Sequence, residues 1–315
     1  MDVELITSIT SIAIRAGTSV LLAALGVILT ERAGVLNLGV EGVMLFTAMS
    51  GFAAAFYTDN IWAGVLVGML MGGALALVHA FWCVTLSANQ VASGLALVIV
   101  GSGLADFLGE RIGPGGGSLV GLVGPKFQKT PLPALSDLPG LGHSVFSQDA
   151  LTYLLYLLIP LVWFYLFYTR PGIHLRAVGE NPQAADALGV NVTATRYLYT
   201  IAGGMLIGLG GVHLSLAYTP GWSPNITSGR GWIAIAMVIF SAWNPLRAVV
   251  GAILFGGVTA IQYRMQAAGA PIPAFFLNML PYAVTIVALV FIMRRQSFYR
   301  RSGIPAALGI PYRRE

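Results

Sequence analysis

Long apolar runs dominate the pattern of hydrophobic and polar positions along this chain. A bilayer core about 30 Å thick requires about 20 apolar residues of helix, and runs of that kind recur between short polar stretches. The pattern predicts about nine membrane-spanning segments, with a range of eight to ten. These segments are residues 16–30, 42–57, 61–86, 91–108, 151–168, 197–218, 232–243, 248–265 and 274–293. We therefore predict an all-α fold, a polytopic membrane helical bundle with discontinuous helices.

Composition supports a chain whose main solvent is lipid. Hydrophobic residues make up 57% of the chain and charged residues 9%, whereas soluble proteins carry about 25% charged residues. The 39 glycines suit transmembrane helices that approach closely or are interrupted. The single cysteine, Cys83, rules out a disulfide framework and a cysteine-based metal site, and we predict no metal site. The net charge is +5, but the basic residues cluster next to apolar runs and form no basic stripe interleaved with aromatic residues. This distribution argues against nucleic acid as a partner.

The placement of arginine predicts the orientation, because positive loop residues are retained on the cytoplasmic side. The arginines that fall on one face of the predicted bundle are Arg170, Arg176, Arg196, Arg247, Arg294, Arg295, Arg300, Arg301, Arg313 and Arg314. This placement predicts an N-terminus outside and a cytoplasmic C-terminus. Residues 109–148 then form an external loop, residues 169–196 a cytoplasmic loop, and residues 294–315 a basic cytoplasmic tail. The whole chain, residues 1–315, is predicted to be one transmembrane domain.

The predicted external loop is rich in glycine and proline. It has two interpretations, a plain connection between helices or a docking surface for an external partner. Its glycine triplet matches neither of the two glycine-rich phosphate-binding patterns, so this chain is not expected to hydrolyse ATP by itself. The metalloprotease and serine-hydrolase signatures are also missing from the sequence, which disfavours an intramembrane enzyme.

Residues 31–42 interrupt the apolar pattern with polar and glycine positions. Only about fifteen residues separate Arg15 from Glu31, roughly 22 Å of helix, so the interruption is predicted to begin near or inside the membrane. Backbone that is not helical at that depth must be buried in protein or line a polar cavity. Asn37 and Glu41 are therefore predicted to face a solute. In the alternative, Glu31 and Arg32 mark a cytoplasmic turn and pair with each other.

A second interruption, residues 220–225, precedes the short apolar segment 232–243. Paired interruptions in the two halves of a transporter point to a binding site near the middle of the membrane. The residues predicted to line the translocation pathway are Asn37, Glu41, Asn89, Gln90, Ser93, Trp222 and Asn225.

Other polar and small residues inside the apolar segments have structural interpretations. His79 and His213 are costly in lipid, and each is predicted to hydrogen-bond to a neighbouring helix. Glycines at four-residue spacing lie on one helix face and let two backbones approach. On that basis packing seams are predicted at Gly64, Gly68 and Gly72 and at Gly204 and Gly208.

Residues 170–191 predict a small helix within the cytoplasmic loop. Asn181 can cap a helix that begins at Pro182, and Gly189 can end it. Taken by itself, this pattern is also compatible with an idle surface helix.

The same loop resembles the coupling helix of ABC importer permeases of the simple-sugar, nucleoside and branched-chain amino acid type. Residues 31–42 are similar to the corresponding motif of the nucleoside branch, with Asn37 where the sugar branch carries an aspartate. The resemblance extends from Arg15 to about Met293 and is greatest to the shorter of two paired permeases in nucleoside systems. It implies that the helix sits in a groove of an ATPase subunit. The implied coupling residues are Gly179, Glu180, Asn181, Pro182, Ala184, Ala185, Asp186, Ala187, Leu188 and Gly189.

The resemblance further implies a permease that moves purine or pyrimidine nucleosides by alternating access, and not an enzyme. Its partners would be an ATP-binding ABC subunit, a second permease chain that is a paralogue or identical, an external solute-binding lipoprotein and membrane lipid. ATP and Mg would bind to the ATPase, with no cofactor on this chain, and the complex would lie in the bacterial inner membrane. The alternatives are a permease for simple sugars or branched-chain amino acids, and a passive channel or secondary transporter.

Overall fold

A computed structural model describes residues 3–138, 142–269, 272–293 and 303–313, and these are dominated by helices. The α-helices are α1 (Val3–Arg32), α2 (Val40–Thr58), α3 (Ile61–Ala80), α4 (Gln90–Gly109), α5 (Gly142–Phe146), α6 (Ala150–Tyr168), α7 (Arg170–Glu180), α8 (Pro182–Ala187), α9 (Val192–His213), α10 (Arg230–Phe240), α11 (Pro245–Ala267) and α12 (Ala274–Met293). Single π-helical turns, Phe81–Thr85 and Leu214–Tyr218, extend α3 and α9. Two short strands, β1 (Thr130–Pro131) and β2 (Ser147–Gln148), pair antiparallel within the loop that follows α4.

Each of the nine predicted apolar segments overlaps a helix of the described chain. Seven helices in the described residues are long and apolar enough to cross a membrane: those in α1, α2, α3, α4, α6, α9 and α11. With 11 residues, α10 is about 16 Å long and too short to cross the hydrocarbon core alone. The segment predicted at 232–243 is therefore a half-length helix inside the bundle.

The prediction of a short first span is wrong. Helix α1 has 30 residues, and Arg15 lies inside it rather than at its start. The guanidinium of Arg15 donates to the backbone oxygen of Ala217 at 2.6 Å, so the charge has an acceptor within the protein. The break between α1 and α2 is nevertheless present at residues 33–39. Its residues Val35 and Asn37 are fully buried in protein, as non-helical backbone within a membrane requires.

The two ends of the bundle carry different structures. The end that carries residues 110–138, 142–149 and 219–229 is called the loop end. The opposite end, where residues 33–39, α7 and α8 lie, is called the α8 end. Helix α9 connects the two, since it begins directly after α8 and its π-helical extension ends at Tyr218. The predicted cytoplasmic loop thus contains two helices, and α9 starts five residues earlier than the predicted 197–218 segment.

The glycines of α3 and α9 form the predicted packing seam. A Cβ atom on Gly204 would lie 2.5 Å from the oxygen of Gly72, and one on Gly208 would lie 2.6 Å from the oxygen of Gly68. The backbones of α3 and α9 are therefore in direct contact. Gly64 faces α2 instead, where a Cβ would lie 2.5 Å from the oxygen of Gly51.

Substitution of Gly204 by valine is expected to destabilise the fold strongly. The added side chain would meet the backbone of α3, so the two helices would have to separate. This separation is expected to lower the free energy of unfolding by about 3 kcal/mol, the upper end of the usual cost of overpacking. The measurement is the melting temperature of the purified protein in detergent. Gly103→Val is the matched control, because nothing lies within 4 Å of a Cβ at Gly103. Equal melting temperatures for the two variants would contradict the seam.

Residues 303–313 thread back along the α8 end of the bundle. The amide of Ala307 donates to the oxygen of Gly179 at 2.9 Å, and that of Gly309 to the oxygen of Gly34 at 3.2 Å. The buried side chain of Arg196 donates to the oxygen of Ile310 at 3.1 Å. This segment therefore ties α7 and α9 to the α1–α2 break. Within the predicted basic tail, Arg294, Arg295, Arg300, Arg301 and Arg314 lie outside the described residues.

Candidate functional site

A cavity of about 960 Å³ lies at the loop end, between residues 120–123, residues 219–230 and the helices α11 and α12. Its size is at the upper end of the range usual for small-molecule sites, which is about 300–1,000 Å³. The residues before α10 form one wall because the chain does not return to helix between Tyr218 and Arg230. The long loop after α4 folds back over the bundle and supplies another wall.

The lining of the cavity combines aromatic and uncharged polar side chains. These include Trp222, Phe255, Tyr263 and Tyr282, the amides Asn225, Gln262 and Asn278, and the hydroxyl residues Ser223, Ser228 and Thr259. Arg230 is the one charged side chain among the described lining residues. Such a surface suits an uncharged solute that has both a flat ring and hydrogen-bonding groups.

Three polar side chains of the cavity, those of Gln262, Asn278 and Arg230, are held by their neighbours. Gln262 on α11 donates through Nε2 to Oδ1 of Asn278 on α12 at 2.7 Å, so an amide pair bridges the two helices. The guanidinium of Arg230 lies 5.2 Å from the ring centre of Tyr218 and donates to the oxygen of Thr227 at 3.2 Å. These contacts hold the groups in position before a solute arrives.

The predicted pathway residues fall into two places. Trp222 and Asn225 line the cavity. Asn37, Glu41, Gln90 and Ser93 lie instead around the α1–α2 break, and all four are buried. Asn89 is exposed and caps α4, accepting from the amide of Ala92 at 3.0 Å.

The polar side chains around the break hold its backbone. Gln90 Oε1 accepts from the amide of Leu36 at 2.6 Å. His79 Nδ1 is hydrogen-bonded to Ser93 Oγ at 2.8 Å, and its Nε2 to the oxygen of Leu36 at 3.0 Å. Asn37 Oδ1 accepts from the amide of Gly39 at 2.9 Å. The structural hydrogen bond predicted for His79 is confirmed.

His213 meets a charged group rather than a helix backbone. Its Nε2 lies 3.7 Å from Oδ2 of Asp149, the residue that caps α6. The contact joins α9 to the cap of α6 near the loop end, but at 3.7 Å it is longer than a hydrogen bond, so the hydrogen bond predicted for His213 is not confirmed.

Glu41 binds the start of α10. Its side chain is 5% exposed, and Oε1 accepts from Thr227 Oγ1 at 2.5 Å and from the amide of Gly229 at 2.7 Å. Oε2 accepts from the amide of Gly231 at 2.7 Å. The carboxylate predicted to face a solute thus has three protein donors, and it positions the segment that forms one wall of the cavity.

Glu31 and Arg32 each bind Trp243 instead of pairing with each other. Glu31 Oε2 accepts from Trp243 Nε1 at 2.5 Å, and Arg32 donates through NH2 to the oxygen of Trp243 at 3.0 Å. Trp243 lies just beyond the end of α10. The alternative interpretation, in which the two residues form a simple turn with a local ion pair, is therefore wrong.

Helices α7 and α8 form a small projection at the α8 end. Asn181 Oδ1 accepts from the amide of Ala184 at 3.0 Å and caps α8, while Gly189 adopts a φ of 85° just beyond its end. These contacts confirm the predicted cap and end of the helix. Ala185 is buried against α7 and α9, whereas Leu188 is 85% exposed. An apolar side chain is thus presented at the tip of the projection.

Several cavity residues were absent from the predicted pathway set, namely Arg230, Thr259, Gln262, Asn278 and Tyr282. Polar side chains inside apolar segments were the available signal, because such residues usually face the bundle interior. Gln262 and Asn278 are of this kind.

The chain matches the family model described as "Branched-chain amino acid transport system / permease component" over residues 8–293. It is 42% identical to a putative glucose ABC transporter permease protein of Haloferax volcanii, over 96% of this chain and 96% of that protein. It is 34% identical to a nucleoside ABC transporter permease protein of Lactococcus lactis, over 94% of this chain and 93% of that protein. A guanosine ABC transporter permease protein of Bacillus subtilis is 32% identical, over 93% of this chain and 92% of that protein. No solved structure matches the chain.

Proposed function

Because this chain belongs to the branched-chain amino acid transport system permease family, and is thus a multi-pass ABC transporter permease, we propose that it forms a translocation pathway for nucleosides in an ATP-driven importer. The single observation that carries the choice of solute is the cavity at the loop end. Its aromatic side chains offer faces on which a base can stack, and its amides offer donors and acceptors for a base edge and for ribose hydroxyls.

Glucose is a second candidate. The relative from Haloferax volcanii, with 42% identity, is named as a putative glucose permease protein. A hexose shares the hydroxyl groups of ribose and would use the same amides. It lacks the flat base, so the aromatic walls of the cavity favour a nucleoside.

The α7–α8 projection is proposed to transmit the force of ATP hydrolysis. In this proposal α8 sits in a groove of an ABC ATPase subunit, which binds ATP and Mg, and the residues from Gly179 to Gly189 form the contact. The exposed Leu188 at the tip of the projection supports this role. The N-terminus would then be outside and the α8 end cytoplasmic.

The remaining partners complete the transport cycle. A second permease chain, a paralogue or an identical copy, would complete the pathway, and an external lipoprotein would deliver the solute to the loop end of the bundle in the inner membrane. Rocking of the two permeases would then expose the cavity to one side and the other in turn. The position of the cavity, at the end opposite α8, supports entry of solute from the loop end.

Uptake by the reconstituted complex tests this proposal. Proteoliposomes that hold the permease with the ATPase and lipoprotein that copurify with it should accumulate labelled guanosine with ATP and not with a non-hydrolysable analogue. Excess unlabelled uridine should compete, and excess glucose should not. Competition by glucose alone would favour the sugar permease, and uptake without ATP would overturn the proposal in favour of a passive or secondary transporter.

A further inference from the structure

The N-terminal end of α10 is capped from another part of the chain. The first amide groups of any α-helix lack partners inside the helix, and the capping position here is Gly229, which has no side chain to supply one. Glu41 supplies the acceptors from the start of α2, with its two carboxylate oxygens on the amides of Gly229 and Gly231. A negative charge at a helix N-terminus is also favoured by the helix dipole.

The C-terminal end of α10 is held by Glu31 and Arg32, which lie ten and nine residues before Glu41. The amide of Trp243 donates to the oxygen of Val238 at 3.2 Å, and that of Ala242 to the oxygen of Ile239 at 3.1 Å, which is a Schellman turn. That turn usually places glycine in the left-handed conformation, yet here Ala242 has a φ of 51° and Trp243 a φ of 54°. Unfavourable backbone of this kind persists only when the surroundings fix it. Glu31 and Arg32 do so by binding the side chain and the oxygen of Trp243.

Strained backbone is concentrated around α10. Of the seven residues other than glycine with positive φ in the described chain, four flank this helix: Asn225, Ser228, Ala242 and Trp243. The contact with α2 is also close, because a Cβ on Gly231 would lie 2.5 Å from the amide nitrogen of Glu41. Helix α10 is therefore fixed by tight packing as well as by its capped ends.

The segment that holds α10 also contacts the α7–α8 projection. A Cβ on Gly179, near the end of α7, would lie 2.2 Å from the oxygen of Arg32. Residues 31–41 thus contact α7 on one side and both ends of α10 on the other. Asn225, five residues before α10, and Arg230, the first residue of α10, both line the cavity.

We infer that Glu31 and Glu41 are positioning residues that clamp α10 at both ends, so that residues 31–41 and α10 move as one rigid body. This inference rests on the proposed transport function. It identifies residues 31–41 together with α10 as the element that links α8 to the cavity. A push on α8 would shift the rigid body through α7, and the cavity wall at residues 225–230 would move with it.

A set of variants tests the clamp. Glu31→Leu and Glu41→Leu each remove the acceptors from one end of α10, and each is expected to lower uptake at least tenfold. The double variant is expected to lose no more than the more impaired single variant, because the two residues act on one body. Glu110→Leu, at an exposed acidic residue just beyond α4, is the control and should transport normally.

Conservative variants separate the geometry from the charge. Glu31→Gln keeps one oxygen for the indole of Trp243 and should restore most of the uptake lost in Glu31→Leu. Glu41→Gln should restore little, because its amide nitrogen would face one of two backbone N–H donors. Equal rescue at the two positions, or losses that multiply in the double leucine variant, would overturn the clamp.

Hydrogen exchange tests the rigid body without any transport measurement. In the purified full-length protein, Glu41→Leu should speed amide exchange not only at residues 229–231, which it contacts, but also at residues 238–243. Likewise, Glu31→Leu should speed exchange at residues 229–231 as well as at residues 238–243. Loosening confined to the end that was altered would overturn the inference. If the wild-type complex shows no ATP-dependent uptake, the proposed function fails, while this exchange experiment still decides whether α10 is clamped.

Discussion

Replacement of Leu188 by glutamate is expected to abolish ATP-dependent uptake and to leave the protein folded in the membrane. Leu188 is 85% exposed and ends α8, so its substitution removes no internal packing. In the proposed complex the same side chain is buried against the ATPase, where an unpaired carboxylate costs several kcal/mol. Since each 1.4 kcal/mol is a factor of ten, a loss of at least about 100-fold is expected.

The measurements are uptake into proteoliposomes and the amount of ATPase that copurifies with the permease. Both should fall together in Leu188→Glu. Leu138→Glu is the matched control, because Leu138 is 50% exposed and belongs to the loop between α4 and α6 at the other end of the bundle. Wild-type uptake by Leu188→Glu, or an equal loss of copurified ATPase in Leu138→Glu, would contradict the coupling role of α8.

Replacement of Gln262 by leucine is expected to reduce nucleoside uptake about tenfold to 100-fold, mainly through a higher half-saturation concentration. The change removes a polar group from the cavity and leaves a solute group unpaired, which costs about 1–3 kcal/mol. The measurement is the concentration dependence of guanosine uptake.

Gln266 provides the control for this experiment. Both glutamines donate through Nε2 to Oδ1 of Asn278, Gln262 at 2.7 Å and Gln266 at 3.1 Å, but only Gln262 lines the cavity. Gln266→Leu should therefore transport with nearly normal kinetics. If the two variants were equally impaired, the support of Asn278 would matter and contact with the solute would not.

Local features of the sequence were sufficient to predict the apolar helices and α8, although α7 was not predicted. The run of residues from Asn181 to Gly189 contains its own cap and its own stop, so the ends of α8 depend on neighbours only a few residues away. The apolar segments are equally local, since length and hydropathy decide them. The two interruptions were also located correctly, at residues 33–39 and before α10.

Partners that are distant in sequence explain what could not be predicted. Arg15 looked like the edge of a span because its acceptor, the oxygen of Ala217, lies 202 residues further along the chain. Glu41 looked available to a solute because its donors lie 186 to 190 residues away, at Thr227, Gly229 and Gly231. A polar residue in a membrane segment indicates that a partner is needed, but only the packed structure shows which residue that partner is.

The cavity also depends on residues that are distant from one another in sequence. Its walls come from the loop after α4, the break before α10 and the pair α11–α12, so no contiguous motif describes it. Trp222 and Asn225 could be predicted because they lie within one interruption. Asn278 carried the signal of a polar residue in an apolar segment, but its place in the cavity depends on a partner, Gln262, in another helix.

The threading of residues 303–313 has a consequence for biosynthesis. The oxygen of Gly34 and the oxygen of Gly179 receive their hydrogen bonds from Gly309 and Ala307, which leave the ribosome after all the helices that they join. A hydrogen bond cannot form until its donor has left the ribosome, where chains grow at about 5–20 residues per second. The surface proposed for the ATPase would thus be completed last, so that an unfinished chain in the membrane would lack a finished docking site.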